Sequence, residues 1–151
     1  MISPEVLRRF PLFAGLSPTA FRDLALFGEQ ATYAAGDYIF EEGDDASQLF
    51  LIVEGSVDIL LNLGDNYEKR TEIETIVAGE VLGWSALVEP HTYKLSAIAT
   101  SDVTAVALDA VALRAYLAGH CELGYMVLGR VAQIIGDRLH NMRVRMLSLI
   151  V

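Results

Sequence analysis

Apolar and polar residues change their spacing twice along this 151-residue chain, and the changes divide it into three parts. Residues 1–28 show the spacing of short helices, and residues 29–108 show the alternation and short apolar runs of strands. Residues 109–151 return to helical spacing. The length suits one domain. We therefore predict a single domain over residues 1–151, with a helical lead-in, a β-rich body and C-terminal helices.

The lead-in contains the same helix-start signal twice. Ser3 and Ser17 each precede a proline, which is the order of an N-cap residue followed by proline in the first helical turn. Apolar residues at helical spacing follow Ser17, and Gly28 then supplies a helix stop. Short helices are therefore predicted before Glu29.

The β-rich body consists of short alternating or continuously apolar segments, each ended by glycine or a Gly-Asp pair. Many short strands at roughly 8–12-residue spacing are typical of an antiparallel sandwich or jelly roll. Gly64-Asp65-Asn66 has the composition of an exposed hairpin turn. The predicted strands are 30–33, 38–40, 49–53, 57–61, 71–77, 95–100 and 103–108.

The C-terminal part predicts two helices. Asp109 is a suitable N-cap for a helix that ends at Gly119, and a longer helix follows from about Glu122 to the C-terminus. One apolar stripe of the long helix is suited to packing on the β-rich body: Leu123, Val127, Val131 and Ile134.

A second apolar stripe on the long helix has the 4-3-4-3 spacing of a coiled-coil seam. The alternative is that this face packs within the chain, as most amphipathic helix faces do. The first stripe already serves that purpose, so we predict a parallel homodimer through the second. The seam positions are Leu128, Ala132, Ile135, Leu139, Met142, Met146 and Leu149.

Charge and composition exclude several classes of function. The net charge is −9, and residues 121–151 hold only four basic side chains, so direct nucleic-acid binding by this chain is not expected. No apolar run is long enough to span a membrane, and the start is unlike a signal peptide, so we expect a cytoplasmic protein. One cysteine and three histidines exclude a disulfide and argue against a metal site. No nucleophile has an evident base partner, so no enzyme is expected.

The segments YAAGDYIFEEGDDASQLFLIVEGSVDIL, GEVLGWSAL and KLSAIAT resemble the cyclic-nucleotide-binding domain of the catabolite-activator type of bacterial regulator. The resemblance covers about residues 10–151. It implies a mostly β fold, namely an antiparallel β jelly-roll barrel of eight strands with N-terminal helices and a long C-terminal dimerisation helix. It also implies a regulatory role in signal transduction. A DNA-binding domain, which such regulators carry, is not expected in this chain.

The family's phosphate cassette differs here at the residues that hold the ligand. In relatives it reads Gly-Glu, a short helix, and then Arg-Ser or Arg-Thr with Ala; the Glu accepts from the ribose and the Arg pairs with the phosphate. Aligned from Gly83, this chain has Trp84 in place of the Glu, and Lys94, Leu95 and Ser96 at the later positions. The pattern is similar to that of a subgroup with a Gly-Trp-Ser cassette. Lysine meets a phosphate as a point charge without the bidentate geometry of arginine.

Two interpretations of the cassette stay open. The segment 83–86 is either an anion nest at a helix start or a tight turn whose amides the chain itself satisfies. Trp84 either lines an aromatic pocket or fills a vacated one. Met142 and Arg143 align with the long-helix positions that face the base in relatives. The candidate ligand-binding residues are Gly83, Trp84, Ser85, Ala86, Lys94, Leu95, Ser96, Met142 and Arg143.

The sequence therefore leaves two functions. The first is a ligand-sensing regulatory domain with an altered cassette, which signals through a helix-mediated homodimer and whose ligand is a cyclic nucleotide or another small anion. The second is a ligand-independent dimerisation or interaction module with an occluded pocket. No other cofactor is expected, because haem and iron–sulfur sites need histidine or cysteine patterns that the sequence lacks.

Overall fold

The protein is described by a computed structural model over residues 2–63 and 69–150. The predicted turn Gly64-Asp65-Asn66 lies outside these residues. The helices are α1 (Pro4–Leu7), α2 (Pro18–Ala25), α3 (Ala110–Gly119) and α4 (Cys121–Ile150), with 3₁₀ helices at Pro11–Phe13 and Trp84–Leu87. The strands are β1 (Gly28–Tyr33), β2 (Tyr38–Phe40), β3 (Gln48–Glu54), β4 (Ser56–Leu63), β5 (Lys69–Val77), β6 (Val81–Leu82), β7 (Ser96–Ala99) and β8 (Val103–Asp109).

The strands form two four-stranded antiparallel sheets, with the orders β1-β8-β3-β6 and β2-β7-β4-β5. Neighbours in a sheet are mostly distant in sequence, as in a jelly roll. This arrangement confirms the predicted fold class, a mostly β antiparallel jelly-roll barrel with N-terminal helices and a long C-terminal helix.

Apolar residues from both sheets form one core. Leu49, Ile52, Val57, Ile76 and Leu108 have no exposed surface. Complete burial of each such side chain contributes about 1.5–3 kcal/mol, so the two sheets supply the main stabilising surface of the fold.

The predicted helix starts are confirmed by their hydrogen bonds. The Ser17 hydroxyl accepts from the backbone N–H of Ala20 at 3.1 Å, and the Asp109 carboxylate accepts from that of Ala112 at 2.8 Å. Ser3 caps α1 in the same way through a longer bond. These side chains satisfy amide groups that the first helical turn leaves unpaired.

The prediction that Gly28 ends a helix is wrong. Helix α2 ends at Ala25, and Gly28 begins β1 opposite Leu108. A Cβ atom at position 28 would lie 2.9 Å from Cδ1 of Ile2 and 3.1 Å from Cδ2 of Leu108. The glycine therefore permits close packing of the N-terminal segment on β1 and β8.

Helix α4 packs on the rest of the chain through its N-terminal half. Val127 and Val131 are buried, and Leu123 and Ile134 are half-buried against the core, as the first apolar stripe predicts. At Gly124 a Cβ atom would lie 2.7 Å from the Leu117 carbonyl oxygen, so this glycine allows α3 and α4 to approach closely.

The second stripe of α4 is largely uncovered in the single chain. Ile135 is half-buried, while Leu139 is 45% exposed and Leu149 is 87% exposed. The other seam positions, also exposed, are Leu128, Ala132, Met142 and Met146. Dimerisation through this face remains a prediction. Within residues 2–63 and 69–150, no helix combines the length and hydropathy that spanning a membrane requires.

Replacement of Gly55 by alanine tests the tight turn between β3 and β4. Gly55 has φ +94°, and a Cβ atom there would lie 2.3 Å from the Asp102 carbonyl oxygen. We expect Gly55→Ala to lower the free energy of unfolding by roughly 3 kcal/mol or more, measured by urea denaturation. Gly43→Ala is the control, because it has φ +95° and open space around the Cβ position. It should cost only about 1–2 kcal/mol. Equal losses in the two variants would contradict the steric explanation.

Candidate ligand site

The cassette begins where β6 ends. After Leu82, Gly83 adopts the left-handed conformation with φ 83° and ψ 36°, and the 3₁₀ helix Trp84–Leu87 follows. A Cβ atom at position 83 would lie 3.2 Å from Cε1 of Tyr93 and 3.4 Å from the carbonyl oxygen of Gln48. Both the backbone conformation and the close neighbours therefore favour glycine at this turn.

Tyr93 packs against the cassette beside Gly83. Its ring stacks on Phe40 with a centroid distance of 3.8 Å and an interplanar angle of 10°. Its hydroxyl donates to the carbonyl oxygen of Gln48 at 2.5 Å and accepts from the backbone N–H of the same residue at 3.4 Å. This aromatic pair, in which Tyr93 is buried and Phe40 is half-buried, fixes the cassette against β2 and β3.

A small cavity, here called the cassette cavity, lies between this turn and α4. Its volume is about 50 Å³, room for about one or two water molecules at roughly 30 Å³ each. Trp84 is half-buried and forms part of the wall. Five predicted site residues converge on the cavity, and one residue of α4 joins them: Gly83, Trp84, Ser85, Lys94, Leu95 and Arg138.

A larger cavity, here called the helix groove, lies between α4 and the β5–β6 region. Its volume is about 580 Å³, within the range of small-molecule sites. Met142 lines this groove, whereas Arg143 is exposed and lines neither cavity. The polar and charged side chains of the groove are Glu74, Thr75, Glu80, Asp137, Arg138, Asn141 and Arg145.

Like Arg143, two more predicted site residues lie outside both cavities. Ala86 is fully buried, and its carbonyl oxygen accepts a hydrogen bond from Arg114 on α3 at 2.7 Å. Ser96 is also buried, and its hydroxyl accepts from the backbone N–H of Glu42 at 2.9 Å and from Nδ2 of Asn62 at 3.5 Å. As an acceptor, the hydroxyl of Ser96 therefore joins β7 to Asn62 of β4 and to the segment that follows β2.

Arg138 lies where the two cavities meet, since it lines both. Its Nη2 donates to the carbonyl oxygen of Val81 at 2.5 Å, and its Nε lies 3.5 Å from Oε2 of Glu74. Only 16% of its side chain is exposed. Burial lowers the pKa of Arg138 from its ordinary value, while the carboxylates of Glu74 and Glu80 oppose that shift. The guanidinium remains a cation.

The two cavities differ in charge. Among the described residues that line the cassette cavity, Lys94 and Arg138 are cationic and none is a carboxylate. The helix groove adds the carboxylates of Glu74, Glu80 and Asp137. An anionic group is therefore favoured in the cassette cavity, and groups that donate hydrogen bonds are favoured in the groove.

The model of the cyclic nucleotide-binding domain family matches residues 30–120 of this chain. The chain belongs to this family. The resemblance inferred from the sequence is therefore confirmed at the level of the family, and the Gly-Trp-Ser subgroup stays a prediction.

Relatives of this cyclic nucleotide-binding domain include a transcriptional regulator and a protein kinase. The chain is 27% identical over 139 residues to a CRP-like cAMP-activated global transcriptional regulator of Mycobacterium tuberculosis, covering 91% of this chain and 61% of the relative. It is 31% identical over 122 residues to cGMP-dependent protein kinase, isozyme 1, of Drosophila melanogaster, covering 80% of this chain but only 16% of the kinase. Each relative therefore extends well beyond the shared part.

A solved structure from Geobacter metallireducens has the same fold as this cyclic nucleotide-binding domain. It is 33% identical, with a TM-score of 0.82, and the match covers 93% of this chain and 100% of that one.

Over the described residues, no group of three or more metal-ligating side chains is present.

Arg138 is the site residue that sequence analysis of this domain missed. The seam pattern of α4 is defined by apolar positions, and an arginine between such positions is typical of a solvated side chain. A signal was nevertheless present: Arg138 precedes the candidate Met142 by four residues, and residues at that spacing share one helix face.

Tyr93 generates a prediction about alkaline pH. Burial is the main cause that raises its pKa from 10.0 to about 12. The folded domain therefore keeps a proton that the unfolded chain releases near pH 10, so stability should fall as the pH rises from about 10 to about 12. In Tyr93→Phe this component should be lost, together with roughly 1 kcal/mol of stability at neutral pH, measured by urea denaturation.

Tyr125→Phe is the control for that measurement, because Tyr125 is 85% exposed. It should leave both the stability and its alkaline pH dependence unchanged. A Tyr93→Phe variant with the same alkaline profile as the unmodified protein would contradict the assignment.

Proposed function

We propose that this protein is a ligand-sensing regulatory domain, not an enzyme, whose ligand is a cyclic nucleotide. The observation that carries the proposal is the meeting of the cassette with Arg138 of α4, which gives a cationic cavity at the end of a larger groove. A CRP-like relative is named as cAMP-activated and another relative as cGMP-dependent, which supports the ligand class.

The sizes and charges of the two cavities support a placement of the ligand in which its anionic group lies in the cassette cavity and the rest of it lies in the groove. The cassette cavity, at about 50 Å³, suits a small anionic group and is too small for a base or a sugar. The groove, at about 580 Å³, has room for the rest of a nucleotide. Its carboxylates and Asn141 offer hydrogen-bond acceptors to the hydroxyl and amino groups of a ligand. Trp84 offers no such acceptor in the cassette, because an indole only donates.

Signalling is proposed to pass through the C-terminal half of α4. The fully buried side chains of this helix end at Val131. Farther along, Arg138 donates to the Val81 carbonyl oxygen and Arg145 to that of Ile73. A ligand in the groove contacts the helix in this polar segment, and any change in its position is transmitted to the dimer seam.

A second function, a ligand-independent dimerisation or interaction module, is supported by two observations. The cassette cavity is small, and Arg138 is already paired with Glu74. In that case the cassette residues would serve only to join α4 to the jelly roll, and no cyclic nucleotide would bind.

Titration of the purified protein with cyclic AMP and cyclic GMP separates the two functions. A sensor should show a saturable rise in melting temperature, because binding to the native state at 100 times Kd stabilises it by about 2.7 kcal/mol. Calorimetry on the same samples gives Kd directly. A flat response to both nucleotides at millimolar concentration would contradict the sensor and favour the closed module.

The double variant Trp84→Glu, Lys94→Arg is the positive control for this titration. It restores a ribose acceptor and a bidentate phosphate donor at the aligned positions, and we expect about tenfold tighter binding or more. A well-folded double variant without any gain would count against the alignment of the cassette.

The homodimer generates a separate prediction. Leu139 lies in the middle of the exposed seam, so Leu139→Asp should convert a dimer to a monomer, measured by sedimentation equilibrium. Val144→Asp is the matched control, because Val144 is 49% exposed on the same helix but outside the seam. It should leave the dimer intact. A monomeric unmodified protein, or two variants with equal effects, would contradict dimerisation through this face.

A further inference from the structure

We propose that Arg138 binds the anionic group of the ligand, and that Glu74 pairs with the Arg138 guanidinium until the ligand displaces it. The proposal rests on the proposed function and names the residues that regulate the same site. It assigns the role of the missing cassette arginine to a residue of α4 that lines the same cavity.

Arg138 is better suited to this role than Lys94, the other cation of the cassette cavity. Lys94 is exposed and carries a compact, strongly hydrated ammonium on a flexible stem. Arg138 is largely buried, and its planar guanidinium is held in place by the bond to the Val81 carbonyl oxygen. A buried, oriented fork of donors matches a phosphate or a similar anion, and Lys94 adds charge at the rim.

Glu74 is the internal competitor for this guanidinium. Its Oε2 lies 3.5 Å from Nε of Arg138, and its side chain is 23% exposed. Glu80 also acts on the guanidinium through its charge. An arriving anion must therefore compete with a carboxylate that is already present, and the affinity of the site depends on how firmly Glu74 is held.

Displacement of Glu74 also supplies the regulation. Arg138 joins α4 to Val81, two residues before Gly83 of the cassette, so its partners decide how the helix lies against the cassette. When an anion takes the place of Glu74, the carboxylate becomes available to the hydroxyl groups of the ligand in the groove. The exchange links occupancy of the cassette cavity to the position of α4.

The experiment measures the binding of cyclic AMP, cyclic GMP and inorganic phosphate to the full chain. Trp84 is the single tryptophan of the sequence and lines the cassette cavity, so its fluorescence reports occupancy, and calorimetry confirms Kd. We expect Glu74→Gln to bind about tenfold more tightly, because it removes the competing charge. Arg138→Gln should weaken binding about tenfold or more, and Arg138→Lys should restore part of the loss.

Matched controls separate ligand binding from helix attachment. Arg130 lies on the same helix and donates to the carbonyl oxygen of Leu12 at 3.0 Å, but it lines neither cavity. Arg130→Gln should lower the melting temperature without changing Kd. Glu72→Gln removes an exposed carboxylate from the same strand as Glu74, and it should also leave Kd unchanged.

The outcomes distinguish this proposal from the proposed function. Nucleotide binding that is equal in the unmodified protein and in Arg138→Gln would overturn the role of Arg138 while leaving the sensor intact. Binding that is not tighter in Glu74→Gln would overturn the role of Glu74, and this variant decides the matter even if Arg138→Gln fails to fold. No binding in the unmodified protein and in Glu74→Gln would overturn both the proposal and the sensor.

Discussion

The contact of Arg138 with Val81 and Glu74 is the interaction on which the arrangement of the site depends. The fully buried side chains of α4 end at Val131, and past Ile135 the helix meets the jelly roll through polar contacts. Arg138 supplies the first of these and places the helix directly beside the cassette. Without this contact the cassette cavity would lose a wall and the groove would lose its boundary.

The cassette has a well-defined backbone conformation, although we predict that two of the family's ligand-holding side chains are replaced in it. The left-handed turn at Gly83 and the stacked pair of Tyr93 and Phe40 depend on backbone conformation and aromatic packing. Neither depends on the residues at positions 84 and 94. The scaffold and the ligand chemistry can therefore change independently, which is why membership of the family does not by itself define the ligand.

Much of the fold could be predicted because its signals are local. Ser17 and Asp109 cap helices by bonds within three residues, and strand alternation marks most of the sheet. Strand β6 was not predicted, because two residues are too few to show a period. Gly28 was misassigned because its role depends on contacts with Ile2 and Leu108, which the local sequence pattern does not reveal.

The candidate site was predictable only in part. The convergence of Gly83, Trp84 and Lys94 followed from the cassette motif, since these residues lie close together in the chain. Arg138 lies 57 residues from its partner Val81, and only the packing of α4 brings the two together. The contact of the Ser96 hydroxyl with the backbone N–H of Glu42 is likewise a tertiary contact that the sequence does not reveal.

A crystal structure of the protein grown with saturating cyclic nucleotide tests the central claim most directly. The account predicts a phosphate oxygen within hydrogen-bond distance of the Arg138 guanidinium, with Glu74 moved away from Nε and the base in the groove beside α4. A phosphate bound elsewhere while Arg138 still contacts Glu74, or a site left empty under these conditions, would contradict it.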